Sequence, residues 1–296
     1  MKLIKPSFEI WEQPAGLEGV YKQIERAGRV CYKSEDKITE NSAKPFVGRM
    51  IESGHGAMLE HGTVYLAMPL ETMLPIEING WGKYTKNPYS KGFKVCEVNG
   101  QKRVAVTTNL RVLVENGWLD DLKYICEPTE YHERRITVHF VCDRGVSHEF
   151  VRHRTMSFAQ ESTRYCNYSK DKFGNELTFI IPCWVGEGQE NTSLEDRDIC
   201  GNTYADLCFK ENLAKAERAY FTLIKQGWTP QQARAVLPNS LKTELVITGL
   251  IKDWKHFFSL RSRIAKTGKP HPQAQELADP LMDEFVKRDI METLIK

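Results

Sequence analysis

The chain has 296 residues, of which 41% are hydrophobic and 27% charged, and its formal net charge is +2. This composition is typical of a soluble globular protein with enough residues for one substantial hydrophobic core. The near-neutral charge provides no overall basic field for nucleic acid or anionic lipid, and no apolar run approaches the roughly 20 residues of a membrane helix. We therefore expect neither a nucleic-acid partner nor a membrane partner.

The cysteines and the N-terminus bear on location and metal binding. Eight cysteines are scattered along the chain, and none forms a CxxC pair or a Cys/His set with zinc-site spacing. The first residues, Met-Lys-Leu-Ile-Lys-Pro, are too short and too interrupted for a signal peptide. These features predict reduced cysteines, a cytoplasmic location and no metal site.

Hydrophobic spacing predicts helices first and then separated strands. Apolar residues at helical spacing predict helices over 18–29 and 42–53, ended by Gly28 and Gly54 respectively. Alternating apolar residues predict strands over 60–68 and 136–142.

A long segment, residues 69–130, separates these two strands. It contains a stretch rich in Gly, Asn, Lys and Tyr and a helical stretch near 108–116. We interpret it as an insertion or lid within a single domain spanning residues 1–296.

The next element is a predicted helix that Ser147 caps. On such a helix Glu149, Arg152 and His153 have i, i+3 and i+4 spacing, so they are expected to project to one side. A loop over 155–163 is expected to follow.

The C-terminal half is predicted to be mainly helical. Thr229 and Pro230 are expected to open a short helix that contains Arg234. The other expected elements are a strand at 177–181, a surface loop at 186–203, and helices at 206–226, 240–249, 253–264 and 273–294. This order favours an α+β fold, with mixed helices around a small, mainly antiparallel sheet, and no GxGxxG follows a strand to suggest a Rossmann domain.

Residues 152–165 read Arg-His-Arg-Thr-Met-Ser-Phe-Ala-Gln-Glu-Ser-Thr-Arg-Tyr and are the most informative stretch. Unpaired cations are costly to bury, so this cluster requires water or anions as partners. Fork-shaped guanidinium donors suit phosphate or carboxylate ligands. The alternative is a solvated, arginine-rich loop.

The order Arg152-His153-Arg154, seven residues, Ser162 and then Arg164 resembles the signature of the flavin-dependent thymidylate synthases. The resemblance covers residues 42–68 and 134–265. It implies conversion of dUMP to dTMP with FAD as cofactor, 5,10-methylenetetrahydrofolate as carbon donor and NADPH as reductant. It also implies a homotetramer whose active sites are shared between subunits.

The resemblance also implies roles for individual residues. Those implied for FAD binding are His55, Arg152, His153, Arg154, Gln160 and His256. Those implied for dUMP binding are Glu149, Arg152, Gln160, Ser162, Thr163, Arg164, Arg234 and Arg261. Arg261 is also the implied catalytic residue, because a guanidinium against a pyrimidine carbonyl stabilises charge as C5 becomes nucleophilic.

Some of these residues have other interpretations. Ser162 resembles a nucleophile, but no His/Asp pair that would activate it is evident. Arg234 could instead form a salt bridge. His55, Glu60 and His61 could bind a metal, but they lack helical ligand spacing, and we interpret Glu60 and His61 as structural.

The chain also departs from the family's usual pattern. Ala159 and Gln160 stand where the common signature has Asn-Glu, and the neighbouring Glu161 could replace the missing carboxylate. Leu250 and Lys252 replace an Asn and an Arg that contact the cofactor in other members.

Two competing functions remain. The first is a nucleic-acid-binding module that uses the arginine cluster with Tyr165 and Tyr168, although the near-neutral net charge argues against it. The second is a flavoprotein oxidoreductase unrelated to nucleotides.

Overall fold

The computed structural model describes residues 1–70, 80–98, 100–185 and 203–292. Within these ranges the chain forms nine strands and ten α-helices. The strands are β1 (Lys2–Ile4), β2 (Ser7–Trp11), β3 (Thr63–Pro69), β4 (Lys91–Val98), β5 (Gln101–Asn109), β6 (Arg135–Asp143), β7 (Ser157–Gln160), β8 (Thr178–Ile180) and β9 (Lys242–Leu250). The helices are α1 (Gly16–Tyr32), α2 (Ala43–Glu52), α3 (Gly56–Leu59), α4 (Gly82–Thr85), α5 (Leu110–Glu115), α6 (Arg144–Phe150), α7 (Tyr204–Lys225), α8 (Pro230–Ala233), α9 (Ile251–Arg261) and α10 (Pro272–Lys287).

A four-stranded antiparallel sheet, in the order β2-β6-β9-β7, forms the centre of the fold. β3, β5 and β4 form a second antiparallel sheet, and β1 and β8 form a short parallel pair. The expected α+β class with mainly antiparallel strands is therefore confirmed.

The central sheet is covered on both faces because its strands carry apolar residues on both faces. On one face Leu245 and Ile247 of β9 pack with Trp254 and Phe257 of α9. On the other face Val246 packs against α1. Successive residues of a strand point to opposite faces, so this alternation fixes which side chains lie beside α9 and which beside α1.

One predicted element boundary and one predicted element type are wrong. Gly28 does not end the first helix, which continues to Tyr32. A Cβ at Gly28 would lie 2.6 Å from a ring carbon of Phe46, so glycine there permits close packing of α1 on α2. The helix expected at 240–249 is instead strand β9, whose β-branched Val246, Ile247 and Thr248 favour a buried strand.

The predicted surroundings of the arginine cluster also need correction. Asp143, not Ser147, caps α6, because its side chain accepts a hydrogen bond from the backbone N–H of Val146 at 2.6 Å. The loop expected at 155–163 contains strand β7, which pairs with β9.

Other expected elements agree with the structure. Helices are present at 42–53, 108–116, 206–226 and 253–264, and strands at 60–68, 136–142 and 177–181, with end shifts of up to three residues. The helix expected at 273–294 is present as α10 but ends earlier, at Lys287. The short helix expected after Thr229 is present as α8, but it does not contain Arg234, which follows it and begins a 3-10 turn.

Residues 80–98 and 100–130 contribute β4, β5 and α5, which form a second core with α1, α2 and β3. Whether residues 69–130 are an insertion in a single domain stays a prediction. Nearly all of the loop expected at 186–203 lies outside the described residues. Across the described ranges, no helix is both long and apolar enough to cross a membrane.

Candidate functional site

The ends of α6 and α9 meet through an arginine–glutamate pair. The Arg261 guanidinium donates to the Glu149 carboxylate and, from Nη2, to the Glu149 backbone carbonyl at 2.9 Å. Its Nε is buried and has no hydrogen-bond partner among the described residues. Glu149 therefore orients Arg261 while leaving one of its N–H groups unused.

His153 lies beside this pair in a largely apolar position. Its ring centre is 5.0 Å from that of Phe257 and 5.8 Å from that of the exposed His256. Burial, together with the charges of Arg261 and His256, lowers the pKa of His153 to about 4, so the ring is neutral at pH 7. Its buried Nε2 has no partner in the described part of the chain.

The three residues expected on one helix side do not share it. Helix α6 ends at Phe150, so the helical spacing of Glu149, Arg152 and His153 does not apply. As a result Arg152 is exposed while His153 is buried. Arg152 and the exposed Arg154 form no ion pair with any residue that the structure describes, so both guanidiniums remain available to an anion.

Gln160 ends strand β7 on the side that faces α6. Its Nε2 donates to Ser147 Oγ at 2.8 Å and to Thr243 Oγ1 at 3.2 Å. The Glu161 carboxylate points to the opposite face, where it accepts from Lys242 at 2.8 Å and from the Tyr168 hydroxyl at 3.1 Å. Glu161 is therefore engaged inside the fold, and Gln160 occupies the α6 side.

The loop after β7 brings two exposed arginines together with neutral partners. Arg164 Nε donates to Gln231 Oε1 at 3.2 Å, and Arg234 Nη1 donates to Thr163 Oγ1 at 3.5 Å. Neither guanidinium pairs with a carboxylate of the described ranges, so the salt bridge considered for Arg234 is not formed there. Ser162 Oγ accepts from the Arg164 backbone N–H at 3.3 Å.

His55 lies on the far side of this loop, at the start of α3. It is exposed and lines a cavity of about 440 Å³ with Cys31, Tyr32 and Met58. The cavity adjoins the loop after β7, because the Ser162 N–H donates to the Cys31 carbonyl at 3.0 Å. This hydrogen bond joins the cavity at His55 to the loop that carries Arg164.

His61 and Glu60 have structural contacts, and His61 is separated from His55. The fully buried His61 bonds Thr248 Oγ1 through Nδ1 at 2.8 Å, and burial with the charge of Arg135 lowers its pKa to about 3. Glu60 pairs with Arg111 at 2.5 Å. The two histidines and Glu60 therefore do not face a common point at which a metal could bind.

Sequence reasoning missed a buried ionic cluster on the α1 face of the central sheet, formed by Lys33, His139, Glu161, Lys242 and Glu244. Burial alone would raise the pKa of Glu244, but His139, Lys242 and Lys33 hold it well below its ordinary range. Lys242 and Glu244 both lie in the stretch mistaken for a helix. On a strand, their i, i+2 spacing places them on the same face, which indicates a Lys–Glu pair there but not its more distant partners.

Comparison with known proteins identifies the family of the chain. The family model described as thymidylate synthase complementing protein matches residues 128–289, which is more than half of the chain. The chain is 29% identical over 155 residues to the flavin-dependent thymidylate synthase of Pyrococcus furiosus, a match that covers 52% of this chain and 55% of that protein. It is 25% identical over 256 residues to the one from Corynebacterium aurimucosum, covering 85% of this chain and 72% of that protein.

The match thus spans about half the length of the Pyrococcus relative and more of the Corynebacterium one. Among solved structures, the UMP/dUMP methylase PolB from Streptomyces cacaoi bound to 5-Br dUMP aligns with a TM-score of 0.43 and 18% identity, covering 97% of this chain and 93% of that one. Because the family model covers most of the arginine cluster's surroundings, the resemblance seen in the sequence is confirmed. The chain belongs to the thymidylate synthase complementing protein family, whose matching relatives are named flavin-dependent thymidylate synthases.

Proposed function

We propose that the protein is a flavin-dependent thymidylate synthase that methylates dUMP to dTMP. 5,10-Methylenetetrahydrofolate donates the carbon and NADPH is the reductant. The observation that carries the proposal is a set of four exposed guanidiniums without a described carboxylate partner, those of Arg152, Arg154, Arg164 and Arg234. Such cations suit the phosphates of a nucleotide and a dinucleotide cofactor.

The surroundings of His153 fit FAD. Arg152 and Arg154 offer positive charge to a diphosphate. The buried Nε2 of His153 has no hydrogen-bond partner among the described residues, and a cofactor atom could be that partner. His55, Gln160 and His256 would complete the set that holds FAD. FAD supplies hydride transfer in this reaction, and the protein supplies binding, orientation and charge.

The loop after β7 fits the phosphate and sugar of dUMP. Ser162, Thr163, Arg164 and Arg234 would hold these groups, since hydroxyls and guanidiniums are the donors that a phosphate accepts. Ser162 acts there as a hydrogen-bond donor, because no histidine or carboxylate of the described chain bonds its Oγ to activate it.

Arg261, Glu149 and Arg152 would meet the pyrimidine. Arg261 is proposed as the catalytic residue, because its positive charge beside a ring carbonyl favours the electron-rich C5 that attacks the carbon donor. Glu149 orients the guanidinium through two hydrogen bonds. Its carboxylate can also accept the N3–H of uracil.

Gln160, rather than Glu161, is proposed to take the position that carries a carboxylate in the common family signature. Gln160 faces α6 and its amide donors reach Ser147 and Thr243. Glu161 is held on the opposite face by Lys242. A neutral amide there binds substrate or cofactor by hydrogen bonds alone.

The proposal includes a cytoplasmic homotetramer with shared active sites. Sharing would let the cavity at His55 and the α6–α9 junction of different subunits serve one active site. Light scattering of the purified protein should give four times the 34.1 kDa chain mass, and a stable monomer with full activity would contradict this part.

Flavin binding tests the proposal directly. The purified protein should retain FAD or bind it when FAD is added, and dUMP should perturb the visible spectrum of the bound flavin. The Arg152→Ala variant should lose FAD affinity, whereas Arg218→Ala, an exposed arginine on α7, should not. A folded preparation that takes up no flavin would defeat the proposal.

A further inference from the structure

A second cleft, away from the arginine cluster, lies where the central sheet meets the three-stranded sheet. It encloses about 280 Å³ and is lined by residues of β2, β3 and β6 and by the chain after α10. Its walls include the aromatic rings of Trp11 and Tyr65, and its polar surface includes Arg134 and Arg135. None of these residues has a role in the proposed reaction.

Arg135 brings to this cleft a positive charge that forms no ion pair with a described residue. Its guanidinium donates to the Glu60 carbonyl at 2.9 Å and, at 3.2 Å each, to Thr63 Oγ1 and Ser157 Oγ. All three acceptors are neutral, and no described carboxylate lies within ion-pair distance of it. Burial lowers the pKa of Arg135, and the more distant charges of Glu60 and Asp253 oppose this shift only in part.

Arg134 adds a second free cation to the same cleft. Its side chain is exposed and makes no hydrogen bond or ion pair with any residue in the described ranges. Its backbone is fixed, because the Arg134 carbonyl accepts from the Ile251 N–H at 3.2 Å. Tyr65 adds a hydroxyl that already accepts from the Arg135 N–H at 3.2 Å and can still donate its own proton.

The acidic residues of the cleft lie at its rim. Glu12 is 88% exposed and 3.9 Å from Arg288, which also lines the cleft, and Glu127 is exposed. Solvent screens such exposed carboxylates strongly, so they do not neutralise the half-buried Arg135. The inner part of the cleft therefore remains positive.

We propose that this cleft is a binding site for a small oxyanion, a carboxylate or a phosphate, held by Arg134 and Arg135 with the Tyr65 hydroxyl as an additional donor. The aromatic walls would cover the apolar part of a ligand that carries the anionic group. The volume suits a small molecule rather than a complete dinucleotide.

Arginine-specific labelling with phenylglyoxal, mapped by mass spectrometry, tests the site on the full-length protein. The probes are inorganic phosphate and glutarate, each compared with chloride at equal ionic strength. At about ten times the Kd, a probe should slow labelling of Arg134 roughly tenfold by mass action. The exposed Arg218 of α7 serves as the control and should keep its rate.

Variants separate this cleft from the proposed nucleotide site. In isothermal titration, Arg134→Gln should weaken binding of the protecting probe about tenfold or more, the effect of losing one charge-assisted contact. Arg164→Gln removes a phosphate contact of the proposed dUMP site and should leave protection of Arg134 unchanged. This result is expected whether or not the protein proves to be a thymidylate synthase.

Each outcome decides the proposal. Protection by phosphate alone, by glutarate alone or by both supports the site and identifies its ligand class. Unchanged labelling of Arg134 with both probes overturns it, as does equal slowing at Arg134 and Arg218, which would indicate general ionic shielding.

Discussion

Replacement of Glu161 by glutamine tests whether the buried ionic cluster holds the loop after β7 in place. Glu161 is 2% exposed and Lys242 is 15% exposed, and their charged atoms lie 2.8 Å apart. The Glu161 N–H also donates to the Glu244 carbonyl at 2.8 Å, which extends the pairing of β7 with β9. The residue thus anchors the chain between Gln160 and Ser162 from the opposite face of the sheet.

The expected loss of stability follows from this burial. Removing one partner of a buried ion pair costs about 3–5 kcal/mol. Because Lys242 keeps its contact with Glu244 and glutamine can still accept from Tyr168, we expect a value at the lower end, about 3 kcal/mol. At about 2–4 °C per kcal/mol, the melting temperature should fall by roughly 6–12 °C.

Thermal unfolding of Glu161→Gln beside a matched control measures this effect. The control is Glu211→Gln, whose pair with Lys215 is 3.9 Å long and mostly exposed, so its melting temperature should not change. In a double-mutant cycle, Lys242→Met should cost less in the Glu161→Gln background than in the wild type. Equal melting temperatures for Glu161→Gln and wild type would refute the reasoning.

Three further predictions concern binding, packing and pH. Arg164→Ala should weaken dUMP binding about tenfold or more, because a charge-assisted contact is lost, and calorimetry measures this affinity. Ser162→Ala should keep some activity. Complete loss of activity in Ser162→Ala with intact dUMP affinity would instead make Ser162 a nucleophile. Gly28→Ala should destabilise the protein by about 1–3 kcal/mol, because the new methyl group clashes with Phe46. Gly48→Ala in α2 should stabilise it by about 0.5–1 kcal/mol, because a methyl group there meets no atom within 4 Å. Equal urea midpoints for the two variants would contradict this. Burial and the charge of Arg135 lower the pKa of His61 to about 3, so only the unfolded chain takes up a proton between pH 6.5 and that value. The contribution of neutral His61 to the free energy of unfolding is therefore fully present above about pH 6.5 and falls as the pH drops. His61→Gln should flatten this pH dependence in urea titrations.

The sequence predicted elements best where hydrophobic period and end signals agree. Helix α7 was located within two residues because its apolar stripe runs between polar segments and ends before Gly227. Strand β9 was mistaken for a helix because it is buried on both faces, so it lacks the alternation of a half-buried strand. Its β-branched residues were the signal that could have identified it.

The residues of the site can be predicted from the sequence, but the directions in which their side chains point cannot. The spacing of Arg152, His153, Arg154 and Ser162 indicated the family, which the family comparison confirms. The orientation of Gln160 and Glu161 depends on whether they lie on a loop or at the end of a strand, and only strand pairing with β9 decides this. The Lys33–Glu244 contact joins residues 211 positions apart, so no local pattern could reveal it.

Release of tritium from C5 of labelled dUMP tests the central claim most directly. With FAD, NADPH and 5,10-methylenetetrahydrofolate present, the wild-type protein should release tritium in proportion to the dTMP formed, and Arg261→Ala should release far less. A flavin-containing, dUMP-binding preparation that releases none with every substrate present would contradict the assignment of this chain as a thymidylate synthase.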